Sequence, residues 1–225
     1  ELPAGAGGGP GNPHGASALR RYRDAAAARD APLCFTVLPV LPGTLEPPQL
    51  MWSSLGLVSP PPTEVVLEHV RRLTEDPSFD RWAHAAPPPA VFRALYTFLE
   101  ERWDRLSEAD RAALRAAPVV PAAGRLVKAG RLFFRLKEDL APYMFEVPRA
   151  FGAHDALLRR LGTTDHPRAE DYARFLAELA AETAGEPLNP NELGAVLKVV
   201  RLVAQDLRGE GPRRHGGGAA SAGGG

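Results

Sequence analysis

The chain has 225 residues, 44% hydrophobic and 24% charged, with 27 Lys plus Arg balanced by 27 Asp plus Glu. That length suits one large or two small domains of roughly 100–200 residues, and the charge balance supplies no long-range field to attract nucleic acid or anionic lipid. A single cysteine, Cys34, excludes an internal disulfide and any cysteine-built zinc site made by this chain alone, which fits a reducing compartment.

Glycine (22) and proline (23) together make up about a fifth of the chain, above ordinary usage, so part of it is expected to stay unpacked. Residues 1–16 and 209–225 are Gly-, Pro- and Ala-rich and cannot repay the entropy of ordering; both are read as disordered. No window approaches the roughly 18 apolar residues of a membrane span, and Glu1-Leu2-Pro3-Ala4-Gly5 lacks the charged and apolar regions of a signal peptide. The expectation is a cytoplasmic protein without membrane contact. A first residue of Glu instead of Met suggests a segment of something longer.

Between these ends, Ser17–Asp30 is rich in helix formers, and Cys34-Phe35-Thr36-Val37-Leu38 is a β-prone run stopped by Pro39. An entry helix, an edge strand and a Pro-rich crossing are therefore expected over 17–58. From 59 to 208 the pattern predicts one helical domain. Thr63–Leu73 carries Val66, Val70 and Leu73 at helical spacing. After Pro87–Pro89, the residues Phe92, Leu95, Tyr96, Leu99, Trp103 and Leu106 line one face of a longer helix. Ser107-Glu108-Ala109-Asp110 reads as a capping box for a short helix ending before Pro118.

From Val119 to Val147 short β-branched and aromatic runs separated by Gly124 and Gly130 predict a small hairpin. Helix returns at Pro148–Leu161, with Gly162 placed to end it in the left-handed conformation. Asp165 and Pro167 open the next helix, which carries Tyr172, Phe175, Leu176 and Leu179. The last has Asn189 as cap, Pro190 at its first position and Glu192 closing the box, and runs to about Leu207. Its apolar stripe is read as Leu193, Val196, Leu197, Val200, Val203 and Leu207, with Val199 and Leu202 lying off it. Two apolar faces need two neighbours: either this helix is buried deeply in its own domain, or Val199 and Leu202 form an interaction surface for a segment or partner outside the chain.

The search for chemistry finds no catalytic, cofactor-binding or metal-binding residues. The chain has no G-x-x-x-x-G-K-[ST] loop, no H-E-x-x-H, no G-x-S-x-G elbow, and no two of its six histidines at i, i+4 spacing. His154-Asp155 are helix neighbours pointing about 100° apart, which prevents them from acting as a hydrogen-bonded dyad. Glu100-Glu101 and Glu170-Asp171 have the same problem as paired acids. Arg20-Arg21-Tyr22-Arg23 and Arg213-Arg214-His215 are the basic clusters, too short and too poor in aromatics for a nucleic-acid surface. Cys34, in an apolar run, reads as an inert small hydrophobe.

A series of segments in fixed order resembles the sacsin repeat: Arg20–Leu33, Pro48–Pro62, Glu64–Leu73, Gly124–Leu136, Asp139–Phe151 and Leu158–Ala173. The resemblance spans about 20–208. In that family a part resembling GHKL-type chaperone ATPases precedes a long helical and mixed region, and this chain looks like the latter. The E-x-x-x-N and D-x-G-x-G signatures of the ATPase part do not occur here, so no nucleotide-site residue carries over and no cofactor is expected. The resemblance implies an intracellular, chaperone-associated parent protein that supports folding or assembly.

The combined expectation is a mainly α, α+β fold with a small antiparallel hairpin, serving as a non-catalytic protein-interaction segment. Its partners would be other segments of the parent protein, clients or co-chaperones. The alternative is an accessory part of a GHKL-type ATPase module lending an arginine to hydrolysis elsewhere in the parent, with Arg125, Arg131 and Arg135 as candidates.

Overall fold

The computed structural model describes residues 24–75 and 88–207. The expected disordered ends, both basic clusters and the first half of the expected entry helix lie outside these residues. Among the described residues the fold is mainly helical, as expected: eight α-helices and two very short sheets. The helices are α1 Ala31–Cys34, α2 Trp52–Leu55, α3 Thr63–Glu75, α4 Pro88–Arg102, α5 Glu108–Ala116, α6 Asp155–Leu161, α7 Ala169–Thr183 and α8 Pro190–Leu207. The strands are β1 Val120–Ala122, β2 Arg125–Val127, β3 Leu132–Phe133 and β4 Phe145–Glu146.

The chain divides into two compact units. One takes the described residues up to Gly130 together with Pro148–Thr163; the other takes Arg131–Val147 and the described residues from Thr164 onward. The single domain expected over 59–208 is thus divided, and the segment before 58 belongs with the first unit.

Of the expected entry helix only 24–30 are described, of which Ala28–Asp30 form a 3-10 turn, and the expected edge strand is replaced. Ala25–Ala27 are fully buried and extended, with Ala26 bridging Val40 and Val58. The Ala26 amide donates to the Pro39 carbonyl at 2.8 Å, and the Leu41 amide to the Ala26 carbonyl at 3.0 Å. Burial between two segments overrides the helix preference of alanine, which is only a fraction of a kcal/mol per residue. Residues 34–38 form no strand. Pro32 sits in the first turn of α1, and the Phe35 and Leu38 amides donate back to the Ala31 and Cys34 carbonyls, satisfying locally the groups a strand would have paired.

Helix α4 centres this unit. Val91, Phe92, Leu95, Tyr96, Phe98 and Leu99 are all nearly or fully buried, so it is apolar over more than the one face expected. The Tyr96 ring meets Phe151 edge-on at 5.2 Å, and its hydroxyl donates to the Val119 carbonyl at 2.8 Å, giving the buried phenol the partner it needs. Burial pushes the Tyr96 hydroxyl well above its usual pKa. α5 starts at the expected cap: the Ser107 hydroxyl accepts from the Asp110 amide at 3.1 Å. α6 ends at Gly162 with φ +116°, as its sequence predicts.

The expected hairpin is present over β1 and β2, antiparallel, with Val120 opposite Val127. Ala123 and Gly124 make its turn at φ +49° and +76°, the positive-φ pair that matches strand twist. The remainder of 119–147 departs from the expectation: β3 and β4, in the second unit, pair in parallel, Leu132 opposite Phe145. Residues 134–144 form the crossover that a parallel pair requires.

In the second unit Phe133, Leu140, Met144, Tyr172, Phe175, Leu179, Ala195, Val199 and Leu202 form one core. α7 begins at Ala169, later than expected, because the Asp171 carboxylate accepts from the Arg168 amide at 2.9 Å and fixes the first turn there. α8 begins as expected: the Asn189 side-chain oxygen accepts from the Asn191 and Glu192 amides at 2.9 and 3.0 Å, and Glu192 accepts from the Asn189 amide at 2.8 Å.

Candidate functional site

Within the first unit, α3, α5 and the turn after α4 line a groove of about 810 Å³. Helical periodicity builds its walls. α3 buries Val66, His69, Val70 and Leu73, which leaves Leu67, Arg71 and Thr74 along the groove. α5 buries Leu114 and offers Ala113 and Ala116. Leu106 and Leu114 add apolar surface to the lining.

The charged groups at this groove are largely engaged with one another. Arg71 donates to Glu68 at 2.7 Å and to Glu75 at 2.5 Å, and Arg72 donates to Glu68 at 2.7 Å. The hydrogen bonds from Arg71, then that from Arg72, hold the Glu68 carboxyl down to about 2. Arg102 pairs with Glu101 at 2.9 Å and lies over the Phe98 ring. Ser107 and Asp110 are 2.6 Å apart, but this contact belongs to the helix cap, and no histidine lines the groove among the described residues. The arrangement has shape and apolar surface, with permanently charged side chains at its edge; it presents no general base beside a nucleophile.

His69 is fully buried beneath α3. Its Nδ1 lies 2.6 Å from the Thr36 hydroxyl and its Nε2 3.2 Å from the Pro32 carbonyl, while Phe35 meets the ring edge-on at 4.6 Å. Burial, with a smaller contribution from Arg72, lowers its pKa to about 4, so it is neutral and both nitrogens are occupied. His154 pairs with Glu100, not with its neighbour Asp155: Nδ1 to carboxylate is 2.9 Å, and the Tyr96 ring is 5.5 Å away. Spacing along the chain could not reveal this contact, because the two residues sit on different elements. Cys34 is buried, donates to the Asp30 carbonyl at 3.3 Å, and is pushed up to about 11 by burial and then by Asp30. Among the described residues no cluster of His, Cys, Asp and Glu could hold a metal ion.

The expected interaction surface at Val199 and Leu202 is corrected. Val199 is 0% and Leu202 5% exposed, both within the second unit's core, whereas Leu193, Leu197 and Val200 are 47%, 59% and 53% exposed. Of the stripe expected to be core, Leu193, Leu197 and Val200 face outward, while Val196 and Val203 pack against the core. Arg131 is paired with Glu178 at 2.6 Å, and Arg125 and Arg135 are exposed. Arg125 belongs to the first unit and the other two to the second.

Compared with known proteins, the chain is similar to human Sacsin, with 26% identity over 156 residues. The match covers 67% of this chain but 3% of Sacsin; the chain thus spans a small fraction of that relative's length. No family model matches the chain. No solved structure matches it. The similarity is distant and agrees with the resemblance carried by its ordered segments. No helix among the described residues is long and apolar enough to cross a membrane.

Proposed function

We propose that this chain is a non-catalytic protein-interaction segment of a sacsin-like, chaperone-associated protein, acting in the cytoplasm in support of folding or assembly. Its groove between α3 and α5 holds an amphipathic segment of a client or of the parent protein. The observation that carries this reading is the groove's chemistry: Leu67, Leu106, Ala113 and Leu114 line it with apolar groups, while Arg71 is paired with Glu68 and Glu75 at its edge. Such a site can bury apolar side chains and orient them by rim charge, and it supplies no reactive group.

The test is titration of labelled amphipathic peptides, with leucines at i, i+4 and i+7, against the chain and its Ala113→Arg variant. Ala113 is exposed and lines the groove, so the variant fills the site without entering a core. Binding at least 10-fold weaker at an unchanged unfolding midpoint is expected. Equal binding by both would remove the groove from the account. Adding the chain to a separately made ATPase domain of the parent should leave hydrolysis unchanged; stimulation would favour the accessory-ATPase reading instead.

A further inference from the structure

We propose that the outward face of α8 seats on the outward face of α7 of a second copy of this chain, with the two helices antiparallel. Both helices are apolar on two opposite sides. α8 buries Ala195, Val199 and Leu202 and turns Leu193, Leu197 and Val200 to solvent at i, i+4 and i+7. α7 buries Tyr172, Phe175 and Leu179 and turns out Ala173, Ala177, Ala180 and Ala181. The inward faces already complete one core, so the outward ones have no role within the unit.

Size and charge select the pairing. Large side chains set against alanines allow two helices to approach to about 8–10 Å, whereas α8 against α8 would oppose leucine to leucine and leave the alanines of α7 bare. With Leu193 against Ala177 and Leu197 against Ala173, the antiparallel register brings Arg201 opposite Glu170. Both of these are exposed and have no partner among the described residues. A parallel arrangement would separate that pair and align the helix dipoles unfavourably. Because donor and acceptor faces differ, the contact is head-to-tail and stays open at both ends. One helix pair falls short of the ~800 Å² per partner of a stable interface, so association is weak and depends on concentration.

Sedimentation equilibrium of the whole chain tests this. The weight-average mass should climb above the 24.1 kDa monomer as concentration rises. Leu197→Glu, which removes the donor face, and Ala177→Arg, which blocks the acceptor face, should each be monomeric with unchanged far-UV circular dichroism. Mixed together they should form a capped dimer, since each retains the face the other lacks. Arg201→Glu should weaken association about 10-fold, and adding Glu170→Arg should restore it. A wild-type chain that stays monomeric at every concentration overturns the proposal. So does association lost in Leu197→Glu but kept in Ala177→Arg, which would mean that α8 pairs with itself.

Discussion

α4 and α8 are both long helices rich in apolar residues, and the protein uses them in opposite ways. α4 buries a wide face in the first unit, with Val91, Phe92, Leu95, Tyr96, Phe98 and Leu99 all at or below 4% exposure. α8 borders the second unit, burying Ala195, Val199 and Leu202 and leaving three large side chains half exposed. Both helices keep an outer side, but that of α4 carries the exposed polar residues Arg93, Thr97 and Glu101, whereas that of α8 carries large apolar side chains. The apolar content of a helix therefore does not say how much of it holds the fold.

The largest expected effect breaks the wide buried face of α4. Leu95→Ala removes a side chain that is 1% exposed and should cost about 2–5 kcal/mol, the range for buried leucine truncation; urea unfolding followed by tryptophan fluorescence measures it, Trp103 being buried in the same unit. Acid should then separate the units. The folded-state pKa of His69, about 4 against an ordinary 6.5, is depressed, so its contribution is fully present above pH 6.5 and is lost as pH falls towards 4. The loss is on the order of 3 kcal/mol and falls on the first unit. Unfolding midpoints at pH 7, 5.5 and 4.5 check it, and His69→Gln should flatten the slope. A smaller effect sharpens the bordering side: Asn189→Ala removes the α8 cap and should cost about 1 kcal/mol, seen as faster hydrogen exchange in the first turn of α8.

The sequence made α3, α5 and the start of α8 legible because their signals are local. Val66, Val70 and Leu73 recur at helical spacing, and Ser107 and Asn189 sit where a cap must sit. The segment around Ala25–Ala27 and Cys34–Leu38 was not legible, because partners at Val40 and Val58 decide its conformation. The parallel pairing of Leu132 with Phe145 is likewise set by distant contacts. On α8 the existence of two apolar faces was readable, but which of them is core was not: periodicity gives an angle without saying where the neighbour lies. The groove escaped notice for a related reason. Leu67 and Ala113 are ordinary residues on separate helices, and the alanines along α5 were the one available hint.

The two faces of α8 divide core from surface, and paired chemical denaturation of Leu202→Ala and Leu197→Ala tests that division most directly. The inward Leu202 should lose about 2–5 kcal/mol, while the outward Leu197 should stay within about 0.5 kcal/mol of the parent chain. Equal losses, or a larger loss at Leu197, would contradict the assignment and with it the outward face as a surface for another molecule.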